Sequence, residues 1–234
     1  MNTIASQRSQ VLARIDAACA QAGRDPREVT LLAVSKTFGA EAVREAHAAG
    51  QVAFGENYVQ EAVEKMARLT DLPLQWHCIG PVQSNKTRLV AEHFDWMHSV
   101  DRLKIAQRLS EQRPSTMAPL QVCIQVNIDG QTSKSGVAPE ETLALAREVA
   151  RLPRLVLRGL MTIPEPTEDG AAQRAVHARA RALFEHLREA GLALDTLSMG
   201  MTADLEAAIA SGSTMVRVGT AIFGQRTPRA PGAA

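Results

Sequence analysis

Lys36 is the residue of this chain best suited to covalent chemistry. It closes the run Thr30-Leu-Leu-Ala-Val-Ser-Lys36, whose apolar side chains lack helical spacing and therefore predict a buried strand. A lysine at such a position either extends its ammonium to water or keeps it partly desolvated. In the second case the uncharged amine becomes accessible and can form a Schiff base with an aldehyde.

Two later segments combine glycines and hydroxyl side chains in a pattern that suits an anion. Ser198-Met-Gly-Met-Thr202 places a glycine, which permits close backbone approach, before a threonine expected to be the N-cap of a helix. Val218-Gly219-Thr220 offers further backbone N–H groups and another hydroxyl. An ordinary turn and cap would explain either segment alone, whereas the two together favour a phosphate-binding cradle.

Arg217 lies within an apolar strand, two residues before Gly219, so the alternation of a strand places both on the same side. A buried guanidinium needs a hydrogen-bond acceptor. One candidate acceptor is the Glu56 carboxylate. The other is a ring nitrogen or a carboxylate of a bound molecule.

The remaining polar candidates each have two interpretations. His77, beside Trp76, is either a proton carrier or a hydrogen-bonded core histidine. Residues 133–136, which include Lys134, are either a solvated loop or a contact for an anion or aldehyde. No His, Cys and carboxylate grouping has the spacing of a metal site, and neither a G-x-S-x-G motif nor a P-loop occurs. We therefore expect no metal and assign no catalytic residue.

Strand-like and helix-like runs alternate along the whole chain, which predicts a parallel sheet. The predicted strands are 30–36, 52–56, 75–80, 96–100, 121–128, 157–163, 196–200 and 215–219. The predicted helices are 4–22, 41–49, 58–69, 85–93, 102–112, 140–151, 171–190 and 203–211, several of them ended by glycine. Eight strands at this length predict an α/β fold, a single (β/α)8 TIM-like barrel with an extra N-terminal helix. An open doubly wound sheet is the alternative, but the first turn lacks G-x-G-x-x-G.

The barrel prediction brings the candidate residues to one end of the molecule. The ends of the eight strands carry Lys36, Glu56-Asn57, His77, Ser99, Asn127, Met161-Thr162, Ser198-Met-Gly200 and Arg217-Val-Gly-Thr220. Active sites of such barrels lie at this end, and phosphate sites use the loops after strands seven and eight. A lysine across the barrel from a phosphate cradle, with an arginine between them, suggests pyridoxal 5′-phosphate as the ligand.

Composition limits the classes of partner. The chain has 234 residues, a net charge of +1 and 3% aromatic residues, so neither nucleic acid nor an anionic membrane is expected to bind. We expect one domain over residues 1–226 and a disordered tail over 227–234. The three cysteines lack ligand spacing, and no signal or membrane-spanning segment is evident, which predicts a cytoplasmic protein. The absence of a large apolar stripe favours a monomer.

The motifs together resemble the pyridoxal phosphate homeostasis protein family. The matching segments, in chain order, are Ala33-Val-Ser-Lys-Thr37, Phe54-Gly-Glu-Asn-Tyr-Val-Gln60, Trp76-His-Cys-Ile-Gly-Pro-Val-Gln-Ser-Asn-Lys86, Ser133-Lys-Ser-Gly136, Arg158-Gly-Leu-Met161, Ser198-Met-Gly-Met-Thr202 and Met215-Val-Arg-Val-Gly-Thr-Ala-Ile-Phe-Gly224. They span nearly the whole chain. Two positions depart from the family pattern: Phe38 stands where many members have a second lysine, and Thr202 where serine is common.

The resemblance implies a barrel like the N-terminal domain of bacterial alanine racemase, with the cofactor attached to Lys36. It also implies phosphate contacts at Thr202, Gly219 and Thr220, near Ser198. Arg217 would face the pyridine nitrogen, and Asn57 and His77 would line the pocket. Members of the family are thought to buffer or deliver the cofactor, with apo-enzymes as partners, and to influence amino-acid and keto-acid balance without an established turnover.

A racemase acting on amino acids is the alternative function. Racemisation needs a base on each face of the cofactor ring. In the racemases that this barrel resembles, the second base comes from a further C-terminal domain, whereas this chain ends soon after the eighth strand and has Tyr58 as its one tyrosine. An arginine at the ring nitrogen would also weaken the electron sink. Both observations favour a carrier.

Overall fold

The computed structural model describes residues 3–131 and 135–225. Eight parallel strands close into a barrel in chain order, which confirms the predicted fold class. The strands are β1 Thr30–Val34, β2 Ala53–Glu56, β3 Gln75–Cys78, β4 Trp96–Val100, β5 Leu120–Val126, β6 Leu155–Thr162, β7 Thr196–Ser198 and β8 Met215–Val218. The predicted tail, 227–234, and Lys134 lie outside the described residues.

Helices surround the barrel between successive strands. They are α1 Ile4–Gln21, α2 Ala40–Ala48, α3 Val59–Ala67, α4 Thr87–His93, α5 Leu103–Gln112, α6 Thr142–Ala150, α7 Gly170–Glu189, α8 Leu205–Ala210 and α9 Thr220–Phe223. The sequence pattern did not predict α9, because four residues are too few to show a helical period. The glycines expected to end helices, Gly23, Gly50, Gly191 and Gly212, have positive φ, as a left-handed cap requires.

The N-terminal helix α1 supports the side of the barrel that carries the predicted phosphate segments. Its apolar face, with Val11, Ile15 and Cys19, is buried, and the helix packs against α8 and α9. Thr3 caps it by accepting a hydrogen bond from the Ser6 N–H at 3.2 Å. Arg14 extends from α1 to the loop after β7, where it donates to the Thr202 carbonyl at 2.9 Å.

Two apolar clusters fill the barrel interior, and a larger one lies between the strands and the helices. The first interior cluster consists of Leu32, Val34, Ala53, Ile79 and Met215. The second consists of Trp96, Cys123 and Met161. All three cysteines are buried and unpaired, and burial raises the pKa of Cys78 and Cys123 to about 12. In the described ranges no helix is both long and apolar enough to cross a membrane.

Candidate functional site

Four neighbouring strands, β7, β8, β1 and β2, form the arc of the barrel rim that carries Ser198, Gly219, Lys36 and Asn57. Barrel closure makes β8 a direct neighbour of β1, with Ala33 opposite Val218, and β1 in turn pairs with β2. The predicted placement of Lys36 across the barrel from the phosphate cradle is therefore wrong. Lys36 instead follows the strand adjacent to β8, because eight strands in chain order bring the first and last together.

Lys36 occupies a tight turn rather than the last position of a strand. The strand ends at Val34, two residues earlier than predicted, and Lys36 is half-buried. The Phe38 N–H donates to the Ser35 carbonyl at 3.1 Å, which closes the turn. The Phe38 ring stacks on Phe223 of α9 with centroids 5.2 Å apart. This contact joins the lysine turn to the short helix after β8.

Gly219 and Thr220 lie where β8 passes directly into α9. Gly219 is the residue before the helix and Thr220 its first residue. A Cβ on Gly219 would lie 3.2 Å from the Val34 carbonyl oxygen, so a larger residue would press on the end of β1. The close approach of the β1 backbone therefore favours glycine at position 219.

The turn after β7 differs from the prediction in its cap. Gly200 adopts φ +93°, and a Cβ there would lie only 2.4 Å from the Ala208 Cβ, which explains the need for glycine. The helix begins at Leu205, not near 203, and Asp204 is its N-cap. The expectation that Thr202 caps the helix is therefore wrong, since Thr202 lies in the turn that precedes it. This turn follows β7, the strand that pairs with β8.

Asp204 and His177 support this turn from below, and the sequence patterns identified neither. The Asp204 carboxylate accepts from the Met201 N–H at 2.7 Å and from His177 Nε2 at 2.9 Å. Burial opposes ionisation of Asp204, but these hydrogen bonds outweigh it, so the pKa of Asp204 lies below its ordinary value. An acidic residue three positions after the start of a capping turn is a local sequence signal, and this signal could have identified Asp204 as a structural residue.

Substitution of Asp204 tests this support. We expect Asp204→Ala to lower the free energy of unfolding by about 2 kcal/mol, since two hydrogen bonds to a charged acceptor are lost. Denaturant unfolding followed by circular dichroism measures the change. The matched control is Glu206→Ala, which removes an exposed partner of Arg14 and should change stability by less than about 1 kcal/mol. Equal losses in the two variants would contradict the structural role of Asp204.

Arg217 lies on the interior side of β8 and is almost fully buried. Its Nη1 donates to the Ser198 carbonyl and hydroxyl, both at 2.8 Å, and Nη2 donates to the Thr162 carbonyl at 2.8 Å. The suggestion that Glu56 accepts from Arg217 is wrong, because Glu56 is paired with Lys65 on the outer side of the strands. Burial lowers the pKa of Arg217 to about 10, so the guanidinium stays charged near neutral pH.

A chain of buried hydrogen bonds continues from Arg217 across the barrel interior. Ser198 Oγ lies 3.0 Å from His98 Nδ1, His98 Nε2 lies 2.9 Å from His77 Nδ1, and His77 Nε2 lies 3.0 Å from Gln75 Oε1. If the Gln75 oxygen accepts, each histidine donates from Nε2 and accepts at Nδ1. Two neutral imidazoles satisfy every contact in this chain.

Burial keeps both of these histidines neutral. It lowers the pKa of His77 to about 3, and the pKa of His98 is lowered well below its ordinary value by burial and then by His77 and Arg217. His77 also stacks on Trp96, with centroids 5.2 Å apart. These contacts support the interpretation of His77 as a hydrogen-bonded core residue. His98 was missed because it lies in an apolar strand with no motif around it.

Asn57 follows β2, the strand that pairs with β1, and it has a buried oxygen without a partner among the described residues. Its Oδ1 is inaccessible to solvent and receives no hydrogen bond from the described residues. The Asn57 backbone packs directly on Gly80, where a Cβ would lie 2.3 Å from the Asn57 carbonyl oxygen. A groove of about 250 Å³ adjoins Asn57 and is lined also by Tyr58 and Lys86. An unpaired buried acceptor is a position that a bound molecule could satisfy.

Two other predicted strand-end residues, Ser99 and Asn127, have structural partners, whereas the buried Thr162 hydroxyl has none among the described residues. Ser99 donates to the Gly80 carbonyl, and Asn127 donates to the Gln131 carbonyl at 2.8 Å. A wider open cavity of about 980 Å³ lies at the opposite end of the barrel, near Arg24 and Asp195. Among the residues that the structure describes, no group of three His, Cys, Asp or Glu side chains is placed to hold a metal ion.

Comparison with known proteins gives consistent results along nearly the whole chain. Residues 9–227 match the family described as alanine racemase, N-terminal domain. The pyridoxal phosphate homeostasis protein of Pseudomonas aeruginosa is 64% identical over 231 residues, which cover 99% of each chain. The protein of that name from Escherichia coli K12 is 55% identical over 229 residues, covering 97% of this chain and 98% of that protein.

Solved structures agree with this result. PipY of Synechococcus elongatus, with pyridoxal phosphate (PLP) bound, is 42% identical with a TM-score of 0.80, covering 90% of this chain and all of that one. Alanine racemase of Clostridium difficile has a TM-score of 0.73 at 17% identity, covering 94% of this chain and 57% of the racemase. At that identity the racemase shows only that the barrel fold is shared.

Proposed function

This chain belongs to the pyridoxal phosphate homeostasis protein family, within the alanine racemase N-terminal domain family, and from that premise we propose that it binds pyridoxal 5′-phosphate through Lys36. The observation that carries the proposal is the arc of strand ends that places Lys36 beside Gly219 and Thr220. A cofactor-bound relative at 42% identity supports the choice of ligand.

The chemistry of the cofactor suits this arc. Its aldehyde and its phosphate arm are attached to neighbouring carbons of the pyridine ring, so the attaching amine and the anion site must lie close together. Lys36 and the Gly219–Thr220 segment follow adjacent strands, which meets this requirement better than opposite sides of a barrel would. In this proposal the backbone N–H groups of Gly219 and Thr220, with Thr202 nearby, hold the phosphate.

The other site residues have proposed roles that follow from their contacts. Arg217 faces the ring nitrogen from the interior of the barrel. Ser198 accepts a hydrogen bond from its guanidinium, and His77 acts indirectly, through His98, which contacts Ser198. The buried Asn57 Oδ1 accepts a hydrogen bond from the ligand, which would satisfy its missing partner.

We propose a carrier rather than an enzyme. The bound cofactor supplies an aldehyde that condenses reversibly with the Lys36 amine, forming a C=N bond and releasing water. A charged guanidinium at the ring nitrogen disfavours protonation of that nitrogen, which most amino-acid chemistry with this cofactor needs. Reversible attachment allows the protein to store a reactive aldehyde and to release it to apo-enzymes in the cytoplasm, influencing amino-acid and keto-acid balance.

Borohydride reduction tests the attachment point. We expect mass spectrometry of the reduced protein to find the cofactor fixed on one lysine, Lys36, among the five of the chain. Reduction converts the C=N bond to a stable amine, so the label records where condensation occurred. A label found mainly on Lys86 or Lys134 would contradict the proposal, because the attachment site would then follow a different strand.

Turnover assays distinguish the carrier from an enzyme. Purified protein and cofactor are incubated with each common L-amino acid, and D-isomer and keto acid are measured by chiral chromatography. We expect neither product above the rate given by free cofactor. Sustained turnover that depends on Lys36 would replace the carrier by a racemase or a related enzyme.

A further inference from the structure

The residues on both sides of Lys36 are anchored to neighbouring elements. The Ser35 N–H donates to the Gly55 carbonyl at 3.0 Å, and its hydroxyl donates to Glu56 Oε1 at 2.6 Å. The Ser35 carbonyl accepts from Lys65 Nζ at 2.9 Å. On the other side, the Thr37 N–H donates to Glu61 Oε1 at 2.9 Å. The backbone before and after Lys36 is therefore held by side chains of β2 and α3.

Lys65 joins these anchors into one ionic cluster. Its Nζ lies 2.6 Å from Glu56 Oε1 and 3.6 Å from Glu61 Oε1, and the Lys65 and Glu56 side chains are 4% and 0% exposed. Burial raises the pKa of Glu56, against the opposing effects of Lys65 and Ser35. Transfer of two such charges from water is unfavourable, so a buried ion pair is weak evidence for a gain in stability. Its placement calls for another explanation.

The turn that the cluster holds is strained. Thr37 has φ +69°, in the left-handed region that β-branched residues rarely adopt. Such conformations persist where the surroundings enforce them, and they concentrate at functional sites. Here the enforcing contact is the Glu61 carboxylate on the Thr37 N–H. The strain lies immediately after the residue proposed to carry the cofactor.

We propose that Glu56, Glu61 and Lys65 form a positioning clamp, which sets the direction in which Lys36 presents its amine. The inference rests on the proposed function. The clamp residues act through Ser35 and Thr37 and do not touch the cofactor. Lys65 is itself excluded as the attachment point, because its ammonium donates to the Ser35 carbonyl and to Glu56 and faces Glu61 with its remaining N–H.

A pair of substitutions at Glu61 gives the sharpest test, since its side chain is 34% exposed and replacement should leave the barrel folded. Glu61→Ala removes the acceptor for the Thr37 N–H, and we expect about tenfold slower labelling of Lys36 with pyridoxal phosphate and borohydride. Glu61→Gln keeps an oxygen acceptor and should label within about twofold of the wild-type rate. Melting temperatures, measured in parallel, identify any general loss of stability.

Hydrogen exchange provides a readout without cofactor. In Glu61→Ala the amide of Thr37 should exchange about tenfold faster than in the wild type, because its hydrogen bond is lost. Lys65→Met, which removes the donor to the Ser35 carbonyl, should slow labelling at least as much as Glu61→Ala. The control Arg44→Met breaks an exposed ion pair with Asp71 near the same helices and should leave the labelling rate unchanged.

The possible outcomes separate this inference from the function on which it rests. If the wild type is labelled on Lys36 and Glu61→Ala is labelled equally fast, the clamp is wrong and the carrier function stands. Equal slowing in Glu61→Gln or in Arg44→Met would also overturn the clamp, because a general structural effect would then explain the rates. If the wild type carries no label on Lys36, the proposed function fails, and the clamp has no cofactor to position.

Discussion

Lys36→Ala is expected to abolish covalent cofactor binding while the barrel remains folded. The variant retains the Gly219–Thr220 segment and Arg217, so the non-covalent contacts that we propose for the phosphate and the ring should persist. It loses the C=N bond, whose formation is strongly favoured once the phosphate holds the aldehyde beside the amine. We expect the apparent affinity for pyridoxal phosphate to fall by about a hundredfold or more.

Absorbance titration measures this effect, because condensation with an amine shifts the absorption band of the cofactor to longer wavelength. The shift should be present in the wild type and absent in Lys36→Ala. Lys104→Ala, a change at an exposed lysine of α5, is the control and should titrate like the wild type. Retention of the shifted band and of borohydride labelling in Lys36→Ala would mean that another lysine carries the cofactor.

Acid is expected to destabilise the protein through His77 and His98. Both have folded-state pKa values far below the ordinary 6.5, about 3 in the case of His77, whereas the unfolded chain binds protons near 6.5. A lowered folded-state pKa means that the unfolded state binds more protons between those two values. The free energy of unfolding is therefore highest above pH 6.5 and falls as the pH decreases.

The magnitude follows from proton linkage. His77 contributes about 1.4 kcal/mol per pH unit between 6.5 and its folded-state pKa of about 3, which amounts to about 3 kcal/mol between pH 7.5 and 4.5. His98, whose pKa is lowered in the same direction, adds to this loss. A loss of this size is a large fraction of the stability of many domains. Urea unfolding at several pH values measures it. Protonation would also place two N–H groups against each other between His77 Nδ1 and His98 Nε2, since these atoms lie 2.9 Å apart.

Variants separate the contribution of the two histidines to the pH dependence of stability from that of the acidic residues. Among the acidic residues, buried Glu56 has a raised pKa, so its protonation makes the free energy of unfolding rise as the pH falls. His98→Gln should reduce the dependence of the free energy of unfolding on pH, because one of the two groups with a lowered pKa is removed. His77→Gln, measured in the same way, serves if His98→Gln does not fold. The control is the exposed His93→Gln. If His98→Gln and His77→Gln both show the same pH dependence of the free energy of unfolding as the wild type, the histidine pair is not its source.

The fold and the outline of the site could be predicted from residues near one another in the sequence. Strand and helix periods are local patterns, and eight alternations define a barrel whose strand ends share one rim. Because the strand ends share one rim, Lys36, Asn57 and Gly219 can be assigned to the same end of the barrel without knowledge of any contact. The Asp204 cap and the exact end of β1 were missed because they depend on single hydrogen bonds at element boundaries.

The barrel and the identity of the residues around its mouth could be predicted from the amino-acid chain, because they follow from local periodicity and from one geometric rule. The contacts that hold those residues depend on the tertiary fold. Closure of the barrel makes β8 the neighbour of β1, Ser198 meets His98 across 100 positions of sequence, and Lys65 reaches back 30 positions to Ser35. Contacts between distant positions leave no periodic signal in the chain, since each depends on the folded arrangement of several elements at once.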